Sequence, residues 1–299
     1  MTLKQLEAFY FAATCSSFAV AAERVHLSIS SLSKRIVELE QSLGESLFDR
    51  SGHRAALTPA GSRLLPHAAE VLHSADKLVA SIGKEAGLTG RCRFGVGELT
   101  ALTWLPKLLT QAAQALPNVT LDPYVDIGTV LEQGVSDGEL DFAIIAGRSS
   151  RSTLISHTVG QAHFLWVASP AIAGETSLLI PQLLHTLPLI TLHVGAGTTR
   201  ILDDWLTHQE VVTERRLTCN GWGAVAGMLV DGMGVGFLPE GWAHALVRRG
   251  QLRILESQPG LPPLYYAFQS RRDDTRLVVS KMCEIVTSVA DFSATSGLF

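Results

Sequence analysis

Serine, lysine and isoleucine side chains are grouped on one side of a predicted helix near the start of the chain. Ser28 is placed to cap this helix and Gly44 to end it, and its apolar residues recur at helical spacing: Leu32, Ile36, Leu39 and Leu43. The opposite side carries Ile29, Ser30, Ser33, Lys34 and Val37. Hydroxyl and ammonium groups can hydrogen-bond to base edges, and isoleucine can contact a thymine methyl group. The pattern predicts a DNA-reading face.

Basic residues flank this face. The stretch from Arg24 to Arg35 contains three bases and no acid. Arg35, Arg50, His53 and Arg54 are placed for phosphate or groove-edge contacts, which position a protein on DNA without specifying sequence. On composition alone, a solvated helix with ordinary surface serines stays the alternative. The predicted DNA contacts are Ser28, Ile29, Ser30, Ser31, Ser33, Lys34, Arg35, Arg50, His53 and Arg54.

Two shorter helices and a wing are predicted around this helix. Thr2 is placed to cap the first helix and Ser17 the second, which contains the small pair Ala21 and Ala22. Two helices joined by a short turn, with small residues where they cross, are typical of a helix-turn-helix. After Gly44, apolar residues on both sides of the polar stretch 50–54 predict a short two-stranded wing.

A longer helix follows the wing. Thr58 and Pro59 have the residue types of an N-cap and a first helical position. The apolar positions step by three and four, and we predict from them a dimerisation helix with a coiled-coil seam: Leu65, Ala68, Leu72, Ala75, Val79 and Ile82. Pro66 should remove a backbone hydrogen bond from this helix or kink it. The segment Gly83 to Gly90 is the predicted hinge.

The rest of the chain alternates between strand and helix patterns. The predicted strands are Arg93–Val96, Thr120–Val125, Phe142–Ala146, Phe164–Ala168, Leu189–Leu192, Val235–Leu238 and Leu264–Phe268. The predicted helices are Leu102–Ala115, Thr129–Asp137, Thr199–Thr207, Gly223–Asp231, Trp242–Arg248 and Arg276–Ala290. This order predicts an α/β region with mainly parallel sheets, and its length suffices for two lobes.

Composition excludes several classes of protein. The chain has 299 residues, of which 46% are hydrophobic and 17% charged, with a net charge of −4. It is too apolar for a disordered chain and has no apolar run long enough for a membrane span. Without a signal-peptide pattern, we expect a cytoplasmic protein. The four cysteines lie too far apart for a zinc or redox pair, and we expect buried free thiols, no metal and no cofactor.

The first 65 residues resemble the LysR-type transcriptional regulators of bacteria. The matching segments are LKQLEAFYFAA, SFAVAAERVHLS, SSLSKRIVELEQSLGESLFDR and ALTPAG, in order and without a gap. Weaker similarity continues at Leu105-Pro106, at DGELDFAII and at LVDGMGVGFLP. The family commonly has Gln and Pro after the serine that caps the recognition helix, whereas Ile29 and Ser30 follow here. The preferred DNA half-site is therefore expected to differ.

The resemblance implies a multidomain fold with an all-α winged helix-turn-helix domain, a long linker helix and a two-lobed α/β effector domain of the periplasmic-binding-protein type (type 2). The expected boundaries are 1–58 (helix-turn-helix about 18–37), 59–86 for the linker helix, 87–92 for the hinge and 93–299 for the effector domain. Lobe I is expected at about 93–161 and 269–299, and lobe II at about 162–268. Expected partners are double-stranded DNA with an interrupted palindromic operator, a small organic inducer, further copies in a dimer or tetramer, and RNA polymerase, with no membrane.

Loops after strands and helix N-termini supply the candidate effector site, because a ligand of a two-lobed fold sits there and free amides favour anions. Each candidate has a plainer role: the threonines as caps, Trp222 in the core, Arg148 on the surface. Glu98 would repel an anionic inducer, so it either stabilises its own helix or indicates an inducer with an amino group. The candidates are Glu98, Thr100, Thr129, Arg148, His193, Thr198, Thr199, Asn220 and Trp222.

Two other functions fit the sequence less well. An enzyme is disfavoured because Gly95 and Gly97 lack the third glycine of a dinucleotide loop, which would fall at Thr100, and the sequence has neither HExxH nor GxSxG. A solute-binding protein would account for residues 91–299 but not for the first 90 residues. We therefore expect a DNA-binding regulator controlled by a small inducer, and no enzyme.

Overall fold

The computed structural model describes residues 1–49, 55–82, 88–175, 181–195 and 197–295. Its N-terminal domain contains helices α1 (Leu3–Thr14), α2 (Phe18–Arg24) and α3 (Ile29–Leu43) and the wing strands β1 (Phe48–Asp49) and β2 (Ala56–Leu57). The three predicted caps are present: Thr2 and Ser17 accept backbone N–H bonds at α1 and α2, and Ser28 does so at α3. Gly44 ends α3 in the left-handed region at φ 71°, where glycine has no Cβ penalty.

The linker helix α4 (Pro59–Ile82) continues through Pro66. Its predicted seam is only partly free for a second chain. Leu65, Ala68 and Leu72 pack against the core of the helix-turn-helix domain, and Ala68 is 1% exposed. Among the α4 residues whose side chains are described, Val71 and Leu78, seven residues apart, are the exposed large apolar ones. The predicted positions Val79 and Ile82 lie outside the residues whose side chains are described.

The first lobe is built on a five-stranded sheet in the order β4-β3-β5-β12-β6. Its strands are β3 (Gly90–Val96), β4 (Val119–Val125), β5 (Phe142–Ala146), β6 (Leu154–Ala162) and, late in the chain, β12 (Leu264–Arg271). Its helices are α5 (Glu98–Thr103), α6 (Leu105–Ala115), α7 (Gly128–Ser136) and α13 (Leu277–Val289).

The second lobe has a five-stranded sheet in the order β11-β7-β10-β8-β9. Its strands are β7 (Phe164–Ala168), β8 (Leu189–Leu192), β9 (Arg216–Cys219), β10 (Val235–Pro239) and β11 (Arg253–Leu255). Its helices are α8 (Pro170–Ala173), α9 (Pro181–Thr186), α10 (Gly197–His208), α11 (Trp222–Val230) and α12 (Glu240–Arg248). The chain passes between the lobes twice, from β6 to β7 and from β11 to β12.

Several sequence expectations about this region were wrong. The sheets are mixed rather than mainly parallel, because β12 pairs antiparallel with β5 and β6, and β7 with β10 and β11. The strand β12 belongs to the first lobe, so the expected lobe II range 162–268 extends too far. Residues 90–92 lie in β3 rather than in a hinge. The predicted helix Leu102–Ala115 is two helices that meet at Trp104.

The helix-turn-helix domain packs against the first lobe of its own chain. The Tyr10 hydroxyl donates to the carbonyl of Asp273 at 3.4 Å, and the Ser16 amide donates to the carbonyl of Asp137 at 2.7 Å. At the centre of this contact, Arg24 of α2 is paired with the Asp141 carboxylate. Among the described helices, none is long and apolar enough to cross a membrane.

Candidate functional sites: the α3 face and the interlobe cleft

The recognition-helix candidate α3 presents its predicted polar face to solvent. Leu32, Ile36 and Leu39 are 0% exposed and fix the rotation of the helix. Ile29 is 52% exposed, and the other predicted contacts on α3 are exposed or half-buried: Ser28, Ser30, Ser31, Ser33, Lys34 and Arg35. The face is therefore accessible to a groove of DNA.

Not every serine on this face is equally free to bind DNA. The Ser28 hydroxyl accepts the Ser31 amide at 3.1 Å and lies 2.9 Å from the hydroxyls of both Ser30 and Ser31. Ser28 is thus used by the helix itself, whereas Ser33 and Lys34 lie beyond the capping turn. The predicted wing contacts Arg50, His53 and Arg54 lie outside the described residues.

A cleft of about 720 Å³ lies between the two lobes. The first lobe contributes residues after β3, β4 and β5 and the inner side of β12, and the second contributes the segments before α10 and α11. The lining includes seven of the nine candidates: Glu98, Thr129, Arg148, His193, Thr198, Asn220 and Trp222. Thr100 and Thr199 are buried beside the cleft rather than in its lining, and Thr199 donates to the carbonyl of His193 at 3.1 Å.

The cleft also contains residues that the sequence analysis missed. Asp126, Glu132, Tyr266 and Gln269 all line it. Gln269 lies one residue beyond the predicted end of its strand, and that strand was expected in the other lobe. Burial raises the pKa of the Tyr266 phenol, so this residue contributes a neutral ring and hydroxyl.

Glu98 joins the two lobes. Its Oε2 accepts the backbone N–H of Trp222 at 2.7 Å, so a carboxylate of the first lobe stands at the N-terminus of α11 in the second. The Trp222 ring is 3% exposed and stacks on Phe164 with ring centroids 5.8 Å apart. Most of this ring therefore belongs to the core of the second lobe, and its amide faces Glu98.

Two buried polar atoms of the cleft lining have no hydrogen-bond partner among the described residues. They are Oγ1 of Thr198 and Oε1 of Gln269. The side-chain amide of Gln269 donates to the carbonyl of Gly147 at 3.2 Å, which leaves its oxygen as the open acceptor. Buried polar groups are rarely left unpaired in proteins, so these atoms mark positions where a ligand can bond.

The cysteines are free thiols, as expected, but only Cys92 is fully buried, and Cys15, Cys219 and Cys283 are half-buried. Burial raises the pKa of the thiols of Cys15, Cys92 and Cys283. Because the thiolate is the reactive form, these three positions are poorly suited to redox chemistry. Within the described part of the chain, no group of three His, Cys, Asp or Glu residues could hold a metal ion.

Comparison with known proteins identifies the family of both regions of the chain. Residues 3–62 match the family described as bacterial regulatory helix-turn-helix protein, lysR family, and residues 85–290 match the LysR substrate binding domain. The transcriptional regulator GltR of Bacillus subtilis is 25% identical over 253 residues, which cover 85% of this chain and 84% of GltR.

Solved structures show the same fold. ArgP from Mycobacterium tuberculosis superposes with a TM-score of 0.65 at 21% identity, over 95% of this chain and 96% of ArgP. Full-length LysG from Corynebacterium glutamicum, solved with the bound effector Arg, gives a TM-score of 0.60 at 18% identity, over 97% and 98% of the two chains. The chain therefore belongs to the LysR family of transcriptional regulators, with an N-terminal helix-turn-helix domain and a C-terminal effector-binding domain.

Proposed function

We propose that α3 enters the major groove of operator DNA and reads bases through Ile29, Ser30, Ser33 and Lys34. The observation that supports this assignment is that these side chains are exposed or half-buried on a helix that buries Leu32, Ile36 and Leu39 on its opposite side. Arg35 binds phosphate, together with Arg50, His53 and Arg54 of the wing stretch. The chain performs no catalysis in this proposal and needs no cofactor.

The interlobe cleft is the proposed inducer site. A ligand that contacts both lobes shifts the protein towards the closed arrangement. The size of this shift is set by how much more tightly the ligand binds the closed arrangement than the open one. The Glu98–Trp222 bond and the unpaired atoms of Thr198 and Gln269 lie where such a ligand would touch both lobes. The effector bound to LysG, arginine, supports a small organic inducer here.

The proposed assembly is a dimer or tetramer formed through α4. Val71 and Leu78 are 43% and 61% exposed and share one side of the helix. Two paired chains present two α3 helices, which matches an interrupted palindromic operator. Inducer binding would change the spacing of these helices on DNA and thereby the contact with RNA polymerase, in the cytoplasm.

The experiment that tests this proposal is a gel shift with the intergenic DNA upstream of the protein's own gene, with and without a ligand found by thermal shift. Sequence-specific retardation is expected, with an altered footprint when the ligand is added. The alternative, a solute-binding protein without a role on DNA, predicts ligand binding and no specific retardation.

A further inference from the structure

We propose that the cleft takes a small zwitterion whose amino or guanidino cation is held by Glu98 and Gln269, and whose carboxylate is held at the start of α10 by Thr198. This inference deepens the proposed function, because it names the ligand class of the same cleft. Three independent features of the lining support it: its charge, the state of its helix N-termini and its unpaired polar atoms.

The charge of the lining is negative. Three carboxylates, those of Glu98, Asp126 and Glu132, line the cleft, against the single guanidinium of Arg148. The three acids are half-buried, whereas Arg148 is exposed. Charges act more strongly where water is partly excluded, so the acids determine which ligand charge the interior of the cleft prefers. A ligand with two carboxylates would meet repulsion there.

Two helix starts at the cleft have a carboxylate of the protein itself beside them. Glu98 accepts the Trp222 amide at the N-terminus of α11. Asp126 accepts the Ile127 amide at 2.7 Å, directly before α7, and also the Tyr124 hydroxyl at 2.9 Å. Helix N-termini favour anions because their amides are free. The Glu98 bond at α11 and the negative charge of Asp126 directly before α7 both disfavour a ligand carboxylate at these two helix starts.

The start of α10 carries a buried, unpaired hydroxyl that can bind that carboxylate. Thr198 lies in the first turn of this twelve-residue helix, lines the cleft and is 3% exposed, and its Oγ1 has no partner among the described residues. A threonine hydroxyl can donate to a carboxylate oxygen, and the helix N-terminus stabilises the negative charge. Arg148 at the rim adds a second favourable charge.

Gln269 requires a donor rather than an acceptor. Its amide nitrogen is used by the Gly147 carbonyl, and its Oε1 is buried and unpaired. An ammonium or guanidinium group carries several N–H donors and no acceptor. Such a cation can donate to Gln269 and is attracted by the carboxylate of Glu98 in the same lining, whereas a second carboxylate can do neither.

Calorimetric titrations of the full-length protein test the ligand class with matched probes. The zwitterionic probes are δ-aminovalerate and, with a second cation each, L-ornithine and L-arginine. The anions of similar size are valerate, glutarate and α-ketoglutarate. We expect at least one zwitterion to bind and every anion to bind at least about tenfold more weakly, since a hydrogen bond between charged partners contributes about 1.5–3 kcal/mol. An anion that binds as tightly as the best zwitterion overturns the proposal, and so does a panel in which no zwitterion binds at millimolar concentration.

Two variants locate the two ends of the ligand. Glu98→Gln keeps an acceptor for the Trp222 amide and removes the charge, so the affinity for the zwitterion should fall at least about tenfold. Thr198→Val keeps the side-chain shape and removes the hydroxyl, so it should weaken valerate and the zwitterions alike. The matched control is Glu139→Gln, an exposed acid of the same lobe outside the lining. Equal affinity in Glu98→Gln and Glu139→Gln contradicts the assignment.

Operator binding of the ligand-free protein separates this inference from the function on which it rests. A protein that retards its operator and prefers anions is still a ligand-controlled regulator with a different inducer class. If the protein binds zwitterions but never slows the migration of DNA in the gel, the proposed function is refuted and the proposed ligand class still holds.

Discussion

The guanidinium of Arg24, on the second helix of the DNA-binding domain, is paired with the carboxylate of Asp141 at the beginning of β5 in the first lobe. Arg24 Nη1 lies 3.1 Å from Asp141 Oδ2, and the two side chains are 7% and 0% exposed. The same carboxylate pairs with Arg276 and accepts the Arg93 amide at 2.8 Å. One buried acid therefore ties the DNA-binding domain to the effector domain.

Removal of this acid should be strongly destabilising. In Asp141→Asn, Arg24 and Arg276 lose their shared carboxylate in a buried site, and breaking a buried ion pair costs about 3–5 kcal/mol. Arg24→Ala should cost less, about 1.5–3 kcal/mol, because Asp141 keeps Arg276 and the Arg93 amide. Urea unfolding measures both losses.

The control for these variants is Glu23→Gln at the rim of the same contact. Glu23 pairs with Arg93 at 2.8 Å but is 59% exposed, and exposed ion pairs contribute at most about 1 kcal/mol. Arg24→Ala should also speed hydrogen exchange in α1 and α2, where Glu23→Gln leaves it unchanged. Equal exchange in the two variants would show that Arg24 does not hold the domain in place.

The stability that Asp141 provides should depend on pH in the acid range. Burial alone would raise its pKa, but the charges and hydrogen bonds of Arg276 and Arg24 outweigh burial and lower the pKa to about 2. Because this lies below the unfolded value of 3.8, the contribution is complete above that value and is lost as the pH falls towards 2. Between pH 5 and 3 the loss should be about 1 kcal/mol. Urea unfolding of the wild type and Asp141→Asn at each pH measures it, and a difference that stays constant over this range contradicts the assignment.

Two neighbouring residues of α3 should affect DNA binding in different ways. Lys34→Ala removes a donor to a base edge, so it should cost about 1–3 kcal/mol and relax the preference at one base step. Arg35→Ala removes a phosphate contact, so it should weaken binding to all DNA sequences similarly. It should also lower the slope of log affinity against log salt concentration by about one. Gel-shift titrations on the operator and its single-base variants, at two salt concentrations, distinguish the two. Uniform weakening in both variants would remove Lys34 from the reading face.

The two lobes approach each other closely at Gly197, which has no side chain. A Cβ on this residue would lie 2.6 Å from the Cβ of Ala146, across the cleft. Gly197→Ala should therefore hold the lobes apart and weaken ligand binding by about tenfold or more, with the fold retained. The matched control is Gly223→Ala on α11, where a Cβ meets nothing within 4 Å. Calorimetry on both variants measures the effect, and unchanged ligand affinity in Gly197→Ala would mean that the lobes need not close this far.

The sequence was most informative where structure is local. The caps Thr2, Ser17 and Ser28 and the buried residues of α3 depend on residues a few positions apart. They were predicted, although Leu43 at the end of the predicted apolar stripe is 40% exposed. The strand β6 was missed because it is an edge strand with a half-exposed, polar sequence. The strand β9 was missed because it is short and largely exposed, and β11 because it has only three residues.

Parts of the cleft could not be predicted because they depend on long-range pairing. Gln269 lies in the cleft because β12, which follows all strands of the second lobe in the chain, pairs with the first sheet. The partner of Glu98 is 124 residues away in the chain, whereas the sequence suggested either its own helix or an inducer with an amino group. The seam of α4 was misassigned for the same reason, since the stripe that contains Leu65, Ala68 and Leu72 packs against the helix-turn-helix domain of its own chain.

The exposed side of α4 should hold two chains together. Val71→Lys places a charge at the centre of this side, where burial without a partner is costly, so the dimer should dissociate at protein concentrations at least about tenfold higher than in the wild type. Val130→Lys is the matched control, because Val130 lies on α7 and is 44% exposed, close to the 43% of Val71. Sedimentation velocity over a concentration series measures the shift. An unchanged dimer in Val71→Lys would require that the chains associate through the effector domains instead.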